Sequence, residues 1–218
     1  MHAPTLVSSI IDFFFPPPKD VVRIRAITID TVREKLIVRA KPLPWIFVGF
    51  SYRDQDIQSL IRANKFYGTK KASQILGLCM SDMVLNALEE RALDLEWRRP
   101  LLVPIPSSAK RKRKRGYNQV ERIVEYALPF IETSVRYTPN VLKRKERPSQ
   151  LRTEKKKRVE NVSRAFFVTN DEAQRQLVSG ECCIVVDDVS ETGATLKDAR
   201  RALLEAGAKE VIGIALAH

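Results

Sequence analysis

A chain of 218 residues with 44% hydrophobic content has room for one large domain, or a domain with a small appendage, and excludes disorder throughout. Its three cysteines, Cys79, Cys182 and Cys183, make neither a disulfide framework nor a zinc ribbon, which points to buried thiols in a reducing, cytoplasmic setting. The formal charge of +12 is concentrated: Arg98 to Arg164 holds 20 Lys and Arg against 6 Glu and no Asp, a field that favours phosphate-bearing partners or else forms a solvated face.

The first apolar stretch, "LVSSIIDFFF", is too short to span a bilayer and lacks the basic start and cleavage site of a signal peptide. It is expected to dock on the body without membrane insertion. Alternation in "VVRIRAITID" (21–30) and "KLIVRA" (35–40) predicts two strands of a small antiparallel unit, with prolines at 16 to 18, 42 and 44 as punctuation. Residues 1–50 therefore read as a distinct N-terminal region, and 51–218 as the main domain.

From Asp54 the period changes to that of a helix, with Ile57, Leu60 and Ile61 on one face, and a second helix from about Lys70 to Arg91 repeats it through Ile75, Cys79, Met83 and Leu88. "PLLVPIP" predicts a short parallel strand. The connection "SSAKRKRKRGYNQ" leads into a helix carrying Val120, Ile123, Val124 and Ala127 on one side. The basic span Lys143 to Arg164 shows no core periodicity, and "AFFV" beyond it suggests a strand. Cys182 to Val186, a loop through Thr192, a helix near Gly193 to Ala206 and the apolar "EVIGIALA" complete the pattern. Strands alternating with helices predict an α/β fold: a parallel sheet flanked by helices, with a small β-containing N-terminal region.

One stretch raises a chemical question. The apolar strand runs into two adjacent carboxylates, Asp187 and Asp188, which repel each other and are costly to bury without a partner. In an open parallel sheet, ligands sit beyond the carboxyl ends of the strands. The loop that follows, Ser190 to Thr195, supplies backbone N–H groups at a helix N-terminus, Gly193 for close approach, Thr192 and Thr195 hydroxyls and the Ala194 amide: a phosphate cradle. Carboxylates beside it suit the hydroxyls of a ribose, because they are acceptors only and diol O–H groups donate. The bland alternative is a strand capped by two solvated acids.

"CIVVDDVSETGAT" resembles the thirteen-residue 5-phosphoribosyl-1-pyrophosphate (PRPP) motif of type I phosphoribosyltransferases. Together with "VPIPSSAKRKRKRGYNQ", "PSQ", "RVENVSRAF", "FFFPPP" and "IRANKFYG" it resembles, in order, the blocks of the ComF family, phosphoribosyltransferase-like proteins associated with competence and DNA uptake. Members of that family commonly carry a CxxC zinc ribbon after the early prolines. Here "PPPKD" has no cysteine, so a zinc-free N-terminal region is expected, with strands at Val21 to Ile29 and Lys35 to Val38 filling the space.

The resemblance implies a function. PRPP with Mg²⁺ would transfer its phosphoribosyl group to an acceptor that the sequence does not reveal. Asp187 and Asp188 would hold the ribose hydroxyls and, through PRPP or water, magnesium. Ser190, Thr192, Gly193, Ala194 and Thr195 would hold the 5-phosphate. Ser107 and Ser108 lie where the pyrophosphate loop belongs, with Arg115 or Lys110 adding charge. Gln150, Arg158 and Asn161 match positions of the hood that closes over such sites. Glu191 stands where the family places a hydroxyl residue, and is either a general base toward the acceptor or an acid favoured by the helix dipole. A different class of function competes: Lys110, Arg111, Lys112 and Arg113 with Tyr117, and a second cluster at Lys155 to Arg158, suit single-stranded DNA through phosphate neutralisation and stacking. The chain would then be a non-catalytic module working with DNA-uptake proteins.

Overall fold

The computed structural model describes residues 17–146, 164–169 and 171–218. Its centre is a six-stranded sheet. In chain order the strands are β1 (Arg39–Ala40), β2 (Ile46–Phe50), β3 (Leu101–Pro104), β4 (Arg136–Tyr137), β7 (Cys182–Val189) and β8 (Glu210–Ala217), while β5 (Leu142–Arg144) and β6 (Phe166–Val168) form a separate antiparallel pair. The spatial order is β1-β2-β8-β7-β3-β4, and every pairing is parallel except β1 with β2. The parallel α/β expectation holds.

Burial on both faces explains the unbroken apolar runs, because parallel strands covered on two sides have no solvent face to make polar. Cys182, Ile184 and Val186 of β7 pack into one core, and Cys183 and Val185 into the other. The first core is closed by helices α3 (Gln55–Arg62), α4 (Lys70–Glu89) and α6 (Gln119–Ile131), the second by α8 (Ala194–Glu205) and the β5–β6 pair. Ile184, Val186 and Ile214, essentially inaccessible, each stabilise the sheet by about 1.5–3 kcal/mol. Helices α4 and α6 approach closely at Gly77, where a Cβ would lie 2.6 Å from the Tyr126 side chain and 2.8 Å from the Ile123 carbonyl oxygen.

Three expectations are corrected. Residues 21–30 are not a strand: α1 (Lys19–Arg23) and α2 (Ile29–Arg33) occupy this stretch, the second started by a capping box in which Thr28 and Thr31 satisfy each other's amides. Ile24, Ile27 and Val32 are buried while Val22 is exposed, so the apolar residues serve helical faces rather than a pleat. Of the second expected strand, 35–40, Lys35 to Val38 are not strand and only Arg39–Ala40 pairs, as β1 antiparallel to β2, whose residues Ile46 to Phe50 in turn align in parallel with Gly213 to Ala217 of β8. Finally, the basic connection after β3 is itself helical. Ser108 accepts from the Arg111 amide to start α5 (Ala109–Arg115), which ends at Gly116. Helix α7 (Glu172–Val178) leads into β7.

Candidate functional site

The acid pair lies inside β7 rather than at its tip. Asp187 is in register with Ala215, and the strand runs on to Val189 opposite Ala217. Both acids are buried, at 7% and 4% exposure. Asp187 Oδ1 accepts the Asp188 N–H at 2.8 Å, and Asp188 Oδ1 accepts the Val189 N–H at 2.9 Å. Burial, with the Asp188 charge beside it, holds the Asp187 carboxyl well above the usual carboxylate range, and Lys65 counters this in part. Asp188 Oδ2 and Ser190 Oγ are buried without a hydrogen-bond partner. Two orphaned polar atoms at one place are costly in a protein interior unless a ligand satisfies them.

These atoms open on a cleft of about 290 Å³ beyond the carboxyl ends of β3 and β7. Ser190 to Thr195 form one wall. The loop is fixed from the sheet side: the Ser190 N–H donates to the Ala217 carbonyl at 2.9 Å, and His218 Nδ1 lies 2.6 Å from the Ser190 carbonyl oxygen. Thr192 Oγ1 accepts the Ala194 N–H at 3.4 Å. Gly193 begins α8 with φ +73°, and a Cβ there would sit 2.9 Å from Ile46 Cδ1 and 3.1 Å from Pro42 Cγ. The position demands glycine twice over, for its backbone angle and for the N-terminal side chains packed behind it.

The opposite wall comes from the β3–α5 turn. Ser107 lines the cleft, and its hydroxyl lies 3.0 Å from both Asn118 Oδ1 and Gln119 Oε1. Asn118 donates to the Ile105 carbonyl and Glu121, and Asn64 donates to the Gln119 carbonyl while accepting from Ser73. This buried polar network ties the turn to the π-helical residues Ala63–Tyr67 that carry Lys65. Ser108 is spent on capping α5. Arg115 is outside the cleft lining: its guanidinium donates to Gln119 Oε1 at 2.9 Å and rests on the Phe66 ring. Arg111, from the same basic run, lines the cleft instead.

Lys110, Lys112, Arg113 and Lys114 are exposed on α5, with Lys112 3.9 Å from Glu121. Tyr117 is half-buried: its hydroxyl donates to the Asn64 carbonyl at 2.6 Å, and Arg122 covers its ring. Glu191 is exposed at the cleft mouth. Gln150, Arg158 and Asn161, with the cluster at 155–158, lie outside the described residues. Asp198 of α8 accepts the Arg164 and Phe166 N–H groups at 2.8 and 2.9 Å and pairs with Arg201.

Tyr52, Lys65, Gln119 and Arg144 also line the cleft, and sequence reasoning gave none of them a role. Burial raises the Tyr52 hydroxyl pKa, Arg62 opposing and the Asp188 and Glu191 charges adding to it. Among the described residues no group of three or more His, Cys, Asp or Glu is gathered as a metal site, and no helix is long and apolar enough to cross a membrane.

The phosphoribosyl transferase domain family matches residues 87–218. The chain is 34% identical over 111 residues to competence protein ComFC of Streptococcus pneumoniae (strain ATCC BAA-255 / R6), across 50% of this chain and 44% of that protein. It is 34% identical over 107 residues to competence protein ComFC of Bacillus subtilis (strain 168), across 49% of this chain and 39% of that protein. The matched segment is thus less than half the length of either relative. Among solved structures, the allosteric regulatory enzyme of purine biosynthesis is similar at 17% identity over 71% of this chain and 30% of that one, with a TM-score of 0.41. With more than half of its length inside the domain match, the chain belongs to the phosphoribosyl transferase domain family.

Proposed function

We propose that this chain binds PRPP and transfers its phosphoribosyl group to a nitrogen acceptor. The observation that carries this reading is the buried acid pair whose Asp188 Oδ2 and neighbouring Ser190 Oγ lack partners at the head of a glycine loop and helix N-terminus. Asp187 and Asp188 accept from the two ribose hydroxyls. The loop amides from Ser190 to Thr195 hold the 5-phosphate, aided by the positive end of the α8 dipole. Lys65, Arg111 and Arg144 in the cleft wall are the cations for the pyrophosphate, and Ser107 is held by Asn118 and Gln119 to orient it. Glu191 at the mouth takes the acceptor's proton.

The donor set suits Mg²⁺ shared with substrate, since magnesium is held through one or two carboxylates with phosphate oxygens and water rather than by an all-protein cage. When bound, it supplies charge neutralisation on the leaving pyrophosphate. The N-terminal region folds without zinc, so a chelator leaves the melting temperature unchanged. The three buried free thiols fit the reducing cytoplasm.

The test is an isothermal titration with PRPP and Mg²⁺. Micromolar binding that is lost in Asp187→Asn with Asp188→Asn supports the reading, and equal affinity in the folded double variant refutes it. Exposed cations along α5, outside the cleft lining except for Arg111, favour a second reading that can coexist with the first. The helix binds single-stranded DNA, and the chain serves DNA uptake as its competence-named relatives suggest, together with DNA-uptake proteins.

A further inference from the structure

A second cavity, about 690 Å³, opens at the carboxyl end of β2 and shares two residues, Tyr52 and Glu191, with the ribose-phosphate cleft. Its walls hold the cations Lys35, Arg39, Lys41 and Arg53. Lys35 is engaged by Asp54 and Asp56 at 3.0 and 2.7 Å. Arg39, Lys41 and Arg53 have no ion pair among the described residues. Three exposed cations converge on one concavity, where their mutual repulsion is reduced only by salt or by an anion. The rest of the wall includes the apolar faces of Val48, Phe50 and the exposed Ile37, a surface suited to a flat ring.

We infer that this cavity is the acceptor subsite and that it takes an anionic nitrogen heterocycle, a ring carrying a carboxylate that Arg39, Lys41 and Arg53 pair with. The inference rests on the PRPP reading above and names its missing second substrate. The shared wall sets the direction of the chemistry. A ring nitrogen at the Glu191 side presents its lone pair to the anomeric carbon; the nitrogen–carbon bond forms as the bond from that carbon to the pyrophosphate oxygen breaks, and its electron pair leaves on pyrophosphate. Any proton on the nitrogen passes to the Glu191 carboxylate. A guanidinium is matched to a carboxylate by its planar fork, which gives selectivity for acid over amide or unsubstituted ring.

The experiment uses two matched pairs as probes, orotate against uracil and nicotinate against nicotinamide, in equilibrium dialysis with the full chain, Mg²⁺ and ribose 5-phosphate. PRPP affinity is measured separately. The acid of at least one pair is expected to bind about tenfold or more tightly than its neutral partner, as loss of charge-assisted hydrogen bonds implies. Arg39→Gln with Lys41→Gln and Arg53→Gln abolishes that preference while PRPP affinity and the melting temperature stay at wild-type values. If PRPP binds but neither pair is discriminated, or if the triple variant keeps the preference, the acceptor inference is overturned and the PRPP reading stands. If those three residues bind oligothymidylate and no heterocycle, the cavity belongs to nucleic acid and the inference is likewise overturned. If PRPP itself does not bind, both readings fall together.

Discussion

Replacing Asp187 by asparagine should make the unliganded protein more stable while disabling its ligand site. The native carboxyl is buried next to Asp188, and its Oδ1 already accepts the Asp188 N–H at 2.8 Å, a bond that an amide oxygen retains. The substitution therefore removes charge repulsion and desolvation without removing that acceptor. The folded-state pKa is raised above the ordinary carboxylate value, so the folded chain keeps a proton that the unfolded chain has released. Stability is thus lost as pH rises through that interval and is recovered below it. Relieving such a strained site is worth about 1 kcal/mol near neutral pH, or roughly 2–4 °C in melting temperature for a chain of this size. Thermal melts of wild type and variant at pH 8 and pH 5, without ligand, should show the gain at pH 8 shrinking at pH 5. A variant that melts at or below wild type at pH 8, or a gain that ignores pH, would refute the burial argument.

Gly193→Ala should cost about 1–2 kcal/mol, because a Cβ at φ +73° is strained and meets Ile46 and Pro42; an unchanged melt contradicts the loop geometry. The damage reaches folding as well as phosphate binding, since the added atom points away from the cleft into the N-terminal packing. Asp198→Asn should destabilise by about 1–3 kcal/mol by weakening the anchor of Arg164 and Phe166. Burial pushes the Asp198 carboxyl up, but Arg201 and the two amides outweigh it and hold it below its ordinary value. Its stabilisation is therefore present above the unfolded pKa and lost as pH falls through the folded one, so the two proteins' melts should converge in acid. For DNA, replacing Lys110, Lys112, Arg113 and Lys114 with serine, leaving Arg111 for the cleft, should flatten the log–log salt dependence by roughly 0.7 per lost contact. A slope identical to wild type assigns the helix no role in DNA binding.

The parallel sheet and the acid-to-glycine loop were legible because each is local: an apolar run, two carboxylates, a helix behind them. Helix α4 was legible for the same reason, its period carried by Ile75, Cys79 and Met83. Short N-terminal helices defeated the pattern, since five residues hold barely one turn and Val21, Val22 and Ile24 satisfy either period. Strand β2 follows Pro44, contains Gly49, and owes its place to β8, paired from more than 160 residues away. No window on the sequence contains both. The cleft cations divided along the same line. Arg111 and Arg115 are one helical turn apart in a run of like residues, and only the polar network around Gln119 decides which faces the site. Lys65 stood within a block whose resemblance was noted, but its reach into the site depends on a π turn that no periodicity announces.

The missing side chain at Gly193 also constrains how such a chain can drift. Ile46 and Pro42 occupy what a side chain would have filled, so the glycine loop and the N-terminal segment are cast against each other. A larger residue at 42 or 46 would push the loop, and a smaller one would leave a void behind its backbone. At these two positions the N-terminal segment and the loop it backs can change only together.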